Sequence, residues 1–241
     1  MIVSTPPSAG VAVSVLGRVR PVVTDVLPPV TVLLPVFNGG ARLPQAIESV
    51  LAQSYERFEL LVIDDGSDDG TADYLDSLVD PRVRVVHQSN QGLVRTLNRG
   101  FSEASHQFVA RMDADDVSEP ERLAVQTQFL IENPLVAAVG SCFVTIDDEG
   151  SVLDEVHVAA DARYLRRSMY FRNSFAHGAM TLRRDRVLQV GGYREVGPCE
   201  DYDLWVRLLR SYALGNVPDV LYRYRVYGSQ ISAKEVHHQQ A

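Results

Sequence analysis

The chain has 241 residues, of which 46% are hydrophobic, and a formal net charge of −8 at pH 7. A globular chain of this length buries roughly three quarters of its unfolded surface, so we expect one large domain, alone or with a small appendage. An acidic surface repels nucleic acid and anionic membrane, so neither is expected as the main partner. Cys142 and Cys199 are the only cysteines. Two widely spaced cysteines make neither a disulfide framework nor a zinc ribbon, which favours a reduced, cytoplasmic setting.

The two ends of the chain differ from the rest in composition. Residues 1–28 contain prolines among valines, and we interpret them as a loose leader with a short strand around Val11–Leu16. This segment has no basic stretch before its valines and no apolar run of about 18 residues, so neither a signal peptide nor an integral membrane span is predicted. Residues 232–241 are polar and predict a flexible tail. The remaining residues, 29–231, are expected to form a single domain.

Apolar runs alternate with helical patterns along residues 30–146. Buried strands are predicted at Val30–Val36, Phe58–Ile63, Val83–His87, Phe108–Met112 and Val136–Ile146. Helices are predicted at Leu43–Gln53, at Thr71–Leu78, through Leu93, Leu97 and Phe101, and from a capping box of Ser118 and Glu121 to about Asn133. This alternation is typical of an α/β fold with a mostly parallel sheet and helices on both faces.

The pattern loosens after a turn at Asp147–Gly150. Helices are predicted around Ala162–Met169 and Asp201–Leu209, with a further ordered stretch at Ser174–Leu182. We interpret this second half as a smaller region that covers the first.

Polar clusters directly follow three of the predicted strands. They are Phe37-Asn38, Asp64–Ser67 and Asp113–Asp116. Ligands of open α/β sheets bind at the carboxyl ends of the strands, so the three clusters are expected to meet at one edge.

The acidic cluster Asp113-Ala114-Asp115-Asp116 predicts a metal site. Crowded carboxylates repel one another, which is unfavourable unless a cation neutralises them. Mg²⁺ and Mn²⁺ take one or two carboxylates together with phosphate oxygens. A solvated acidic turn before the next helix is the alternative interpretation.

Three further groups are candidate site residues, each with a structural alternative. Asp65 can accept hydrogen bonds from a nucleobase, or it can belong to a turn that leads into a helix. Asp201 opens a helix and can serve as a general base. Acidic residues at a helix start also complement the helix dipole, which would explain Glu200 and Asp201 without catalysis. His177 is either functional or a structural histidine.

In this order, the clusters resemble the inverting glycosyltransferases of family 2, which have the GT-A fold. The matching stretches are Pro35–Asn38, Asp64–Ser67, Asn90–Gly100, Asp113–Asp116 and Glu200-Asp201. The resemblance implies a GT-A-like, Rossmann-type mixed sheet, mostly parallel. It also implies a nucleotide-sugar-binding half at 29–146 and an acceptor and catalytic-base half at 147–231.

The resemblance also implies a role for each matching residue. Asp201 would be the catalytic base, and Glu200 would shape its environment. The nucleotide would contact Pro35, Phe37, Asn38, Asp65, Asp113 and Arg95, with Arg111 a further phosphate neighbour. Asp113 and Asp115 would bind Mn²⁺ or Mg²⁺. His177, Asp116 and Trp205 are candidates for contacts with the acceptor or the diphosphate.

The implied reaction is a metal-dependent, inverting transfer of one sugar from a nucleoside-diphosphate sugar, with a UDP-sugar favoured, to a hydroxyl of a carbohydrate or other acceptor. No Gln-x-x-Arg-Trp signature of processive members follows Asp201, which favours a single transfer.

Two other functions are kept as alternatives. In a haloacid-dehalogenase-type phosphatase Asp113 would attack phosphate, but three strands precede it and the only lysine is Lys234 in the tail. The second alternative is a catalytically silent protein that binds nucleotide sugars. A calcium loop beginning at Asp65 is disfavoured because a strand precedes it.

Overall fold

The computed structural model describes residues 27–160, 162–169 and 171–227. The strand predicted around Val11–Leu16, the leader up to residue 26 and the tail from residue 232 lie outside the described residues. No helix within the described ranges combines the length and apolar character that crossing a bilayer requires.

The described residues form a nine-stranded sheet and seven α-helices. The strands are β1 (Val30–Val36), β2 (Phe58–Asp64), β3 (Val83–His87), β4 (Phe108–Arg111), β5 (Val117–Ser118), β6 (Val136–Ile146), β7 (Val152–Val156), β8 (Thr181–Arg183) and β9 (Ala213–Arg225). The helices are α1 (Leu43–Leu51), α2 (Thr71–Asp76), α3 (Leu93–Glu103), α4 (Arg122–Glu132), α5 (Ala162–Ser168), α6 (Arg184–Gln189) and α7 (Glu200–Leu208). Short 3₁₀ turns lie at Gly40–Arg42 and His177–Ala179.

The strand order is β3-β2-β1-β4-β8-β6-β9-β5, with β7 paired to β6. The chain moves from β1 outward through β2 and β3, then returns to place β4 on the other side of β1. This reversal opens a crevice between the carboxyl ends of β1 and β4, where open α/β sheets bind their ligands.

Strand direction brings further segments to the same edge. β8 is antiparallel to both β4 and β6, and β6 is parallel to β9. β4, β6 and β9 therefore share the direction of β1, β2 and β3, which confirms the mostly parallel sheet. The segment before β8 and the ends of β6 and β9 consequently lie at the carboxyl edge of β4.

Helices cover both faces of the sheet, as predicted. Alternate side chains of a strand point to opposite faces. Val32 and Leu34 of β1 pack in one core with residues of α1 and α4, whereas Leu33 packs in a second core with residues of α3, α5, α6 and α7. The sheet is thus buried on both sides, which explains why its strands are continuous apolar runs.

The predicted capping box is wrong. Helix α4 begins at Arg122, and no side chain caps its first turn. Ser118 instead lies in β5 and accepts a hydrogen bond from Gln53 Nε2 (3.2 Å), while Glu121 accepts one from Ser54 Oγ (3.0 Å). The side chains of Ser118 and Glu121 therefore bind Gln53 and Ser54, which are distant in sequence, and do not cap the helix.

Four elements were not predicted: β5, β7, α6 and β9. The longest, β9, contains Pro218, which has no N–H to donate to a sheet. The structure accommodates it with a bulge, because Ser141 pairs with Val217 and Cys142 with Val220, so that the two residues between them in β9 have no partner in β6. A bulge of this kind hides a strand from its sequence pattern.

Gly100→Ala tests the close packing of α3 on β1. A Cβ at Gly100 would lie 2.9 Å from Leu33 Cγ and closer still to Leu33 Cδ1, and Leu33 is fully buried. We expect a destabilisation of about 1–3 kcal/mol in chemical unfolding, because overpacking outweighs the gain of about 1 kcal/mol in helix propensity. The exposed neighbour Ser102→Ala serves as the control and should change stability little. Equal stability of Gly100→Ala and wild type would contradict the packing described.

Candidate active site

A cleft runs along the carboxyl edge of the sheet in two connected parts. One part has a volume of about 700 Å³ and the other about 470 Å³. The two parts share Gly92, Leu93, Arg111, Asp113, Asp115 and Tyr227. The smaller part is also lined by Pro35, Phe37, Asn38 and Asp65, and the larger by Asn173, His177, Glu200 and Asp201. Asp113 and Asp115 therefore stand where the two parts meet.

Asp113 and Asp115 are held by groups from separate parts of the chain. The Arg111 guanidinium, itself almost fully buried, forms an ion pair with the Asp113 carboxylate. The Asp115 carboxylate accepts a hydrogen bond from the Tyr227 hydroxyl (2.7 Å). Burial and the negative charge of Asp113 raise the pKa of Asp115. The chain therefore leaves repulsion between the two carboxylates incompletely neutralised.

The acidic pair fits a divalent cation that takes its remaining ligands from a substrate. Within the described ranges, no three acidic, histidine or cysteine side chains are grouped closely enough to hold a metal ion. One or two carboxylates are, however, the usual protein contribution to a Mg²⁺ site completed by phosphate oxygens and water. Hard oxygen donors with excess negative charge suit Mg²⁺ or Mn²⁺.

Asp116 lies beneath the cleft and does not line it. Its side chain is 1% exposed, and Oδ1 accepts a hydrogen bond from the backbone N–H of Arg225 (2.7 Å). Burial and the charges of Asp113 and Asp115 raise its pKa well above the ordinary value. The structure thus corrects the expectation that Asp116 contacts diphosphate or acceptor, since it anchors β9.

The turn after β1 is fixed by the loop after β2. Asn38 adopts a left-handed conformation with φ of 53°. Its backbone N–H donates to Ser67 Oγ (2.8 Å), and its side-chain amide exchanges two hydrogen bonds with Asp68. This arrangement leaves the ring of Phe37 52% exposed in the smaller part of the cleft. An exposed aromatic ring on a rigid turn is a suitable surface for stacking a planar ligand.

Asp65 is bound mainly by its own chain. Its carboxylate accepts hydrogen bonds from Gln88 Nε2 (2.6 Å) and from the backbone N–H groups of Gln91 (2.9 Å) and Gly92 (2.8 Å). A carboxylate offers about four lone-pair sites. Asp65 therefore shapes the loop before α3 and keeps room for about one more donor in the cleft.

Asp201 stands at the start of α7 in the larger part of the cleft. Its carboxylate accepts hydrogen bonds from Asn173 Nδ2 (2.7 Å) and from the backbone N–H of Tyr202 (2.6 Å). Burial raises the pKa of Asp201, against the effect of these donors. A carboxylate with a raised pKa that faces a cleft is suited to accept a proton.

Glu200 and His177 form a partly buried polar group beside Asp201. His177 Nε2 lies 2.8 Å from the Tyr193 hydroxyl, and His177 Nδ1 lies 3.9 Å from Glu200 Oε1. Burial and the nearby Arg111 charge lower the pKa of His177 well below its ordinary value. The imidazole is therefore neutral at pH 7 and can exchange hydrogen bonds without adding charge.

Two further predicted site residues do not line the cleft. Trp205 is fully buried, with its ring 6.0 Å from the rings of both Phe175 and His177. It supports His177 from the core, which corrects its expected contact with the acceptor. Arg95 is exposed, forms an ion pair with Glu195 (3.1 Å) and does not line the cleft. Its predicted phosphate contact is not supported.

The structure adds residues that the sequence did not indicate. Asn173 and Tyr227 come from segments without a motif and bind Asp201 and Asp115 directly. Tyr222, buried in β9, accepts a hydrogen bond from the backbone N–H of Asp113 (3.2 Å). Gly178 also lies against this group, because a Cβ there would clash with Asp113 Oδ2. In the sequence, only His177 pointed to the segment that contains Asn173 and Gly178.

Comparisons with known proteins agree on one family. Residues 31–192 match the family model described as glycosyl transferase family 2. An uncharacterized glycosyltransferase of Haemophilus influenzae is 28% identical over 225 residues, which cover 88% of this chain and 70% of the relative. The O-antigen biosynthesis glycosyltransferase WbnJ of Escherichia coli is 29% identical over 210 residues, which cover 84% of this chain and 81% of the relative.

Solved structures show the same fold. The mannosyltransferase PcManGT of Pyrobaculum calidifontis, whose structure contains GDP-Man and Mn²⁺, superimposes with a TM-score of 0.69 at 20% identity. The match covers 90% of this chain and 62% of that one, so this chain spans less than two thirds of its length. The fold is thus the GT-A type expected from the sequence. Because the family model matches about two thirds of the chain, and its relatives carry the same enzyme name, the chain belongs to glycosyl transferase family 2 and is a glycosyltransferase.

Proposed function

We propose that this enzyme transfers one sugar from a nucleoside-diphosphate sugar, with a UDP-sugar favoured, to an acceptor hydroxyl, with inversion and with Mn²⁺ or Mg²⁺. The observation that carries the proposal is the arrangement of one cleft. Asp113 and Asp115 lie at its centre. Phe37 and Asp65 line the smaller part, and Asp201 lines the larger part. A donor that spans this centre would present its sugar to Asp201.

The smaller part of the cleft is proposed to hold the nucleoside. Pro35, Phe37 and Asn38 line its wall, and Asp65 supplies an acceptor for a base N–H. The N3–H of uracil suits a single remaining acceptor site on Asp65. The mannosyltransferase PcManGT was solved with GDP-Man, so a guanine donor is the main alternative for this pocket.

The centre of the cleft is proposed to hold the diphosphate. Asp113 and Asp115 would hold the divalent ion, which when bound stabilises the negative charge of the departing diphosphate. Arg111 lines both parts of the cleft and places a buried positive charge beside Asp113. Its guanidinium would orient phosphate oxygens by charge-assisted hydrogen bonds.

Asp201 is proposed to act as the general base, with Glu200 and neutral His177 shaping its surroundings. Its carboxylate would take the proton of the acceptor hydroxyl while that oxygen bonds to the anomeric carbon and the bond to the diphosphate oxygen breaks. Attack from the side opposite the leaving group inverts the configuration. The Asn173 hydrogen bond would hold the carboxylate in position for this step.

The acceptor is proposed to be a carbohydrate in polysaccharide or glycoconjugate biosynthesis. Support comes from the name of WbnJ, an O-antigen biosynthesis glycosyltransferase. Both described cysteines have free thiols, in keeping with the cytoplasmic setting, which stays a prediction. Membership of glycosyl transferase family 2 argues against the interpretation of Asp113 as the nucleophile of a phosphatase. A catalytically silent binding protein would need no base, yet the cleft keeps Asp201 with a raised pKa.

Metal-dependent donor binding is tested by thermal shift with uridine, guanosine and thymidine diphosphates, each with Mn²⁺, Mg²⁺ or chelator. We expect one nucleotide to raise the melting temperature, by about 2–4 °C per kcal/mol of binding energy at this chain length, only with metal. Asp115→Asn should remove the shift, whereas Asp154→Asn, an exposed carboxylate on β7, should keep it. Equal shifts with chelator would refute metal dependence.

Replacement of the base separates binding from chemistry. Asp201→Asn should keep the thermal shift with nucleotide and lower turnover of donor and acceptor by about 10²–10⁴-fold. The raised pKa means that the ionised carboxylate is less stable in the fold than in water, so neutralising it should leave the melting temperature within about 3 °C of wild type. In wild type, turnover should fall on acidification at a pH above about 3.9, the ordinary aspartate value. Undiminished turnover in Asp201→Asn would remove it from this role.

Gly178→Ala tests the positioning of Asp113. The added Cβ would lie 2.8 Å from Tyr222 Cζ and would clash with both the Tyr222 hydroxyl and Asp113 Oδ2, so one of these side chains has to move. We expect metal-dependent nucleotide binding to weaken by about tenfold or more, since overpacking of a filled site costs about 1–3 kcal/mol.

Gly197→Ala is the control for this variant. Gly197 lines the same cleft, and a Cβ added there would have no other atom within 4 Å. Its left-handed backbone, with φ of 72°, makes alanine unfavourable for stability but displaces no side chain of the site. Similar losses of nucleotide binding in both variants would refute the specific contact at Gly178.

A further inference from the structure

One short segment of this acidic protein is positively charged. The chain carries a formal net charge of −8, yet residues 162–172 contain four arginines and no acidic residue. In the structure this segment begins with α5 and continues toward Asn173. A local cluster of positive charge on an acidic chain is a feature to which a partner can respond, because charges beyond about 10 Å are screened at moderate salt.

Helix α5 and the residues after it have a buried apolar side and an exposed side that carries arginine and aromatic residues. Leu165 and Met169 are buried in the second core. The outward residues are exposed, with Phe171 89% and Tyr164 50% accessible. We call this outward set the arginine–aromatic surface; it consists of Tyr164, Arg166, Arg167, Phe171 and Arg172.

The charges of this surface are not neutralised by carboxylates of the described residues. Arg172 donates a hydrogen bond to the Tyr164 hydroxyl (3.1 Å), which carries no charge. Arg166 and Arg167 are exposed and have no ion pair or hydrogen bond of their side chains among the described residues. The positive charge is therefore available to an external anion.

The arginine–aromatic surface adjoins the larger part of the cleft. Tyr164 and Arg172 line a side pocket of about 240 Å³. This side pocket shares Phe143, Asn173, Phe175 and Ala176 with the part of the cleft that contains Asp201. Whatever contacts this surface lies beside the proposed acceptor side of the cleft rather than beside the nucleoside pocket.

We propose that the arginine–aromatic surface docks onto an anionic lipid bilayer. Aromatic and arginine side chains that share one exposed face match the interfacial region, where rings enter the headgroup layer and guanidinium groups contact lipid phosphates. A bilayer touches a single face of the protein. A long polyanion such as nucleic acid would also meet the acidic remainder of the surface, so the bilayer is the favoured partner.

The test is co-sedimentation of the full chain with vesicles of phosphatidylcholine alone or mixed with phosphatidylglycerol at about 2:1. The assay contains no donor, so it is independent of the proposed sugar transfer. We expect binding to the anionic vesicles only, and weaker binding at raised salt. Arg166→Glu with Arg167→Glu should lower the partition coefficient by at least about tenfold, given the usual contribution of each basic residue near a membrane. Phe171→Ser should lower it several-fold.

A matched control carries the same change of charge elsewhere. Arg194→Glu with Arg210→Glu alters two exposed arginines outside the arginine–aromatic surface and should retain most of the binding. Far-UV circular dichroism melts of all variants distinguish lost binding from unfolding. Three results would overturn the proposal: no binding by wild type, equal loss in the control, or tighter binding to heparin or duplex DNA than to the anionic vesicles.

Discussion

Repulsion among three aspartates at one point of the sheet edge is the constraint that organises this molecule. Asp113, Asp115 and Asp116 closely follow β4, and burial limits the screening by water of the charges on Asp115 and Asp116. The buried guanidinium of Arg111 pairs with Asp113, and the Tyr227 hydroxyl donates a hydrogen bond to Asp115. These groups reduce the repulsion without removing it. A divalent cation would neutralise the remaining negative charge, and the oxygens of a diphosphate would complete the coordination of that cation.

The last described strand holds this acidic group in place. Within β9, the backbone N–H of Arg225 donates to Asp116, and the Arg225 guanidinium donates to the carbonyls of Asp115, Asp147 and Asp148 and to Gln45 Oε1. One residue thereby joins the first helix, the acidic loop after β4 and the turn after β6. The proposed nucleotide and acceptor halves are consequently functional regions of one sheet, since β6, β8 and β9 extend the sheet that β1 begins.

In the larger part of the cleft, burial shifts the pKa values of two titratable side chains. Burial raises the pKa of Asp201 and lowers that of His177, so both groups are shifted toward their neutral forms. Keeping a carboxylate ionised there opposes folding, and such groups are retained where a reaction needs them. Trp205 and Phe175 contribute to the apolar surroundings of this region. The arginine–aromatic surface adjoins it through the side pocket.

Apart from the short strand β5, the sequence by itself determined the strands and helices of the first half and the three polar clusters, because apolar periodicity and turn residues are local signals that neighbouring contacts reinforce. It also placed Phe37, Asp65 and Asp113 at one edge, since parallel strands bring their carboxyl ends together. Tertiary structure alone decided the partners of those groups. Asn173, Tyr222 and Tyr227 come from segments whose pattern shows no motif, and the bulge at Pro218 hides β9 from its sequence pattern. The burial of Asp116 and Trp205 likewise depends on how distant strands pack, which sequence spacing does not encode.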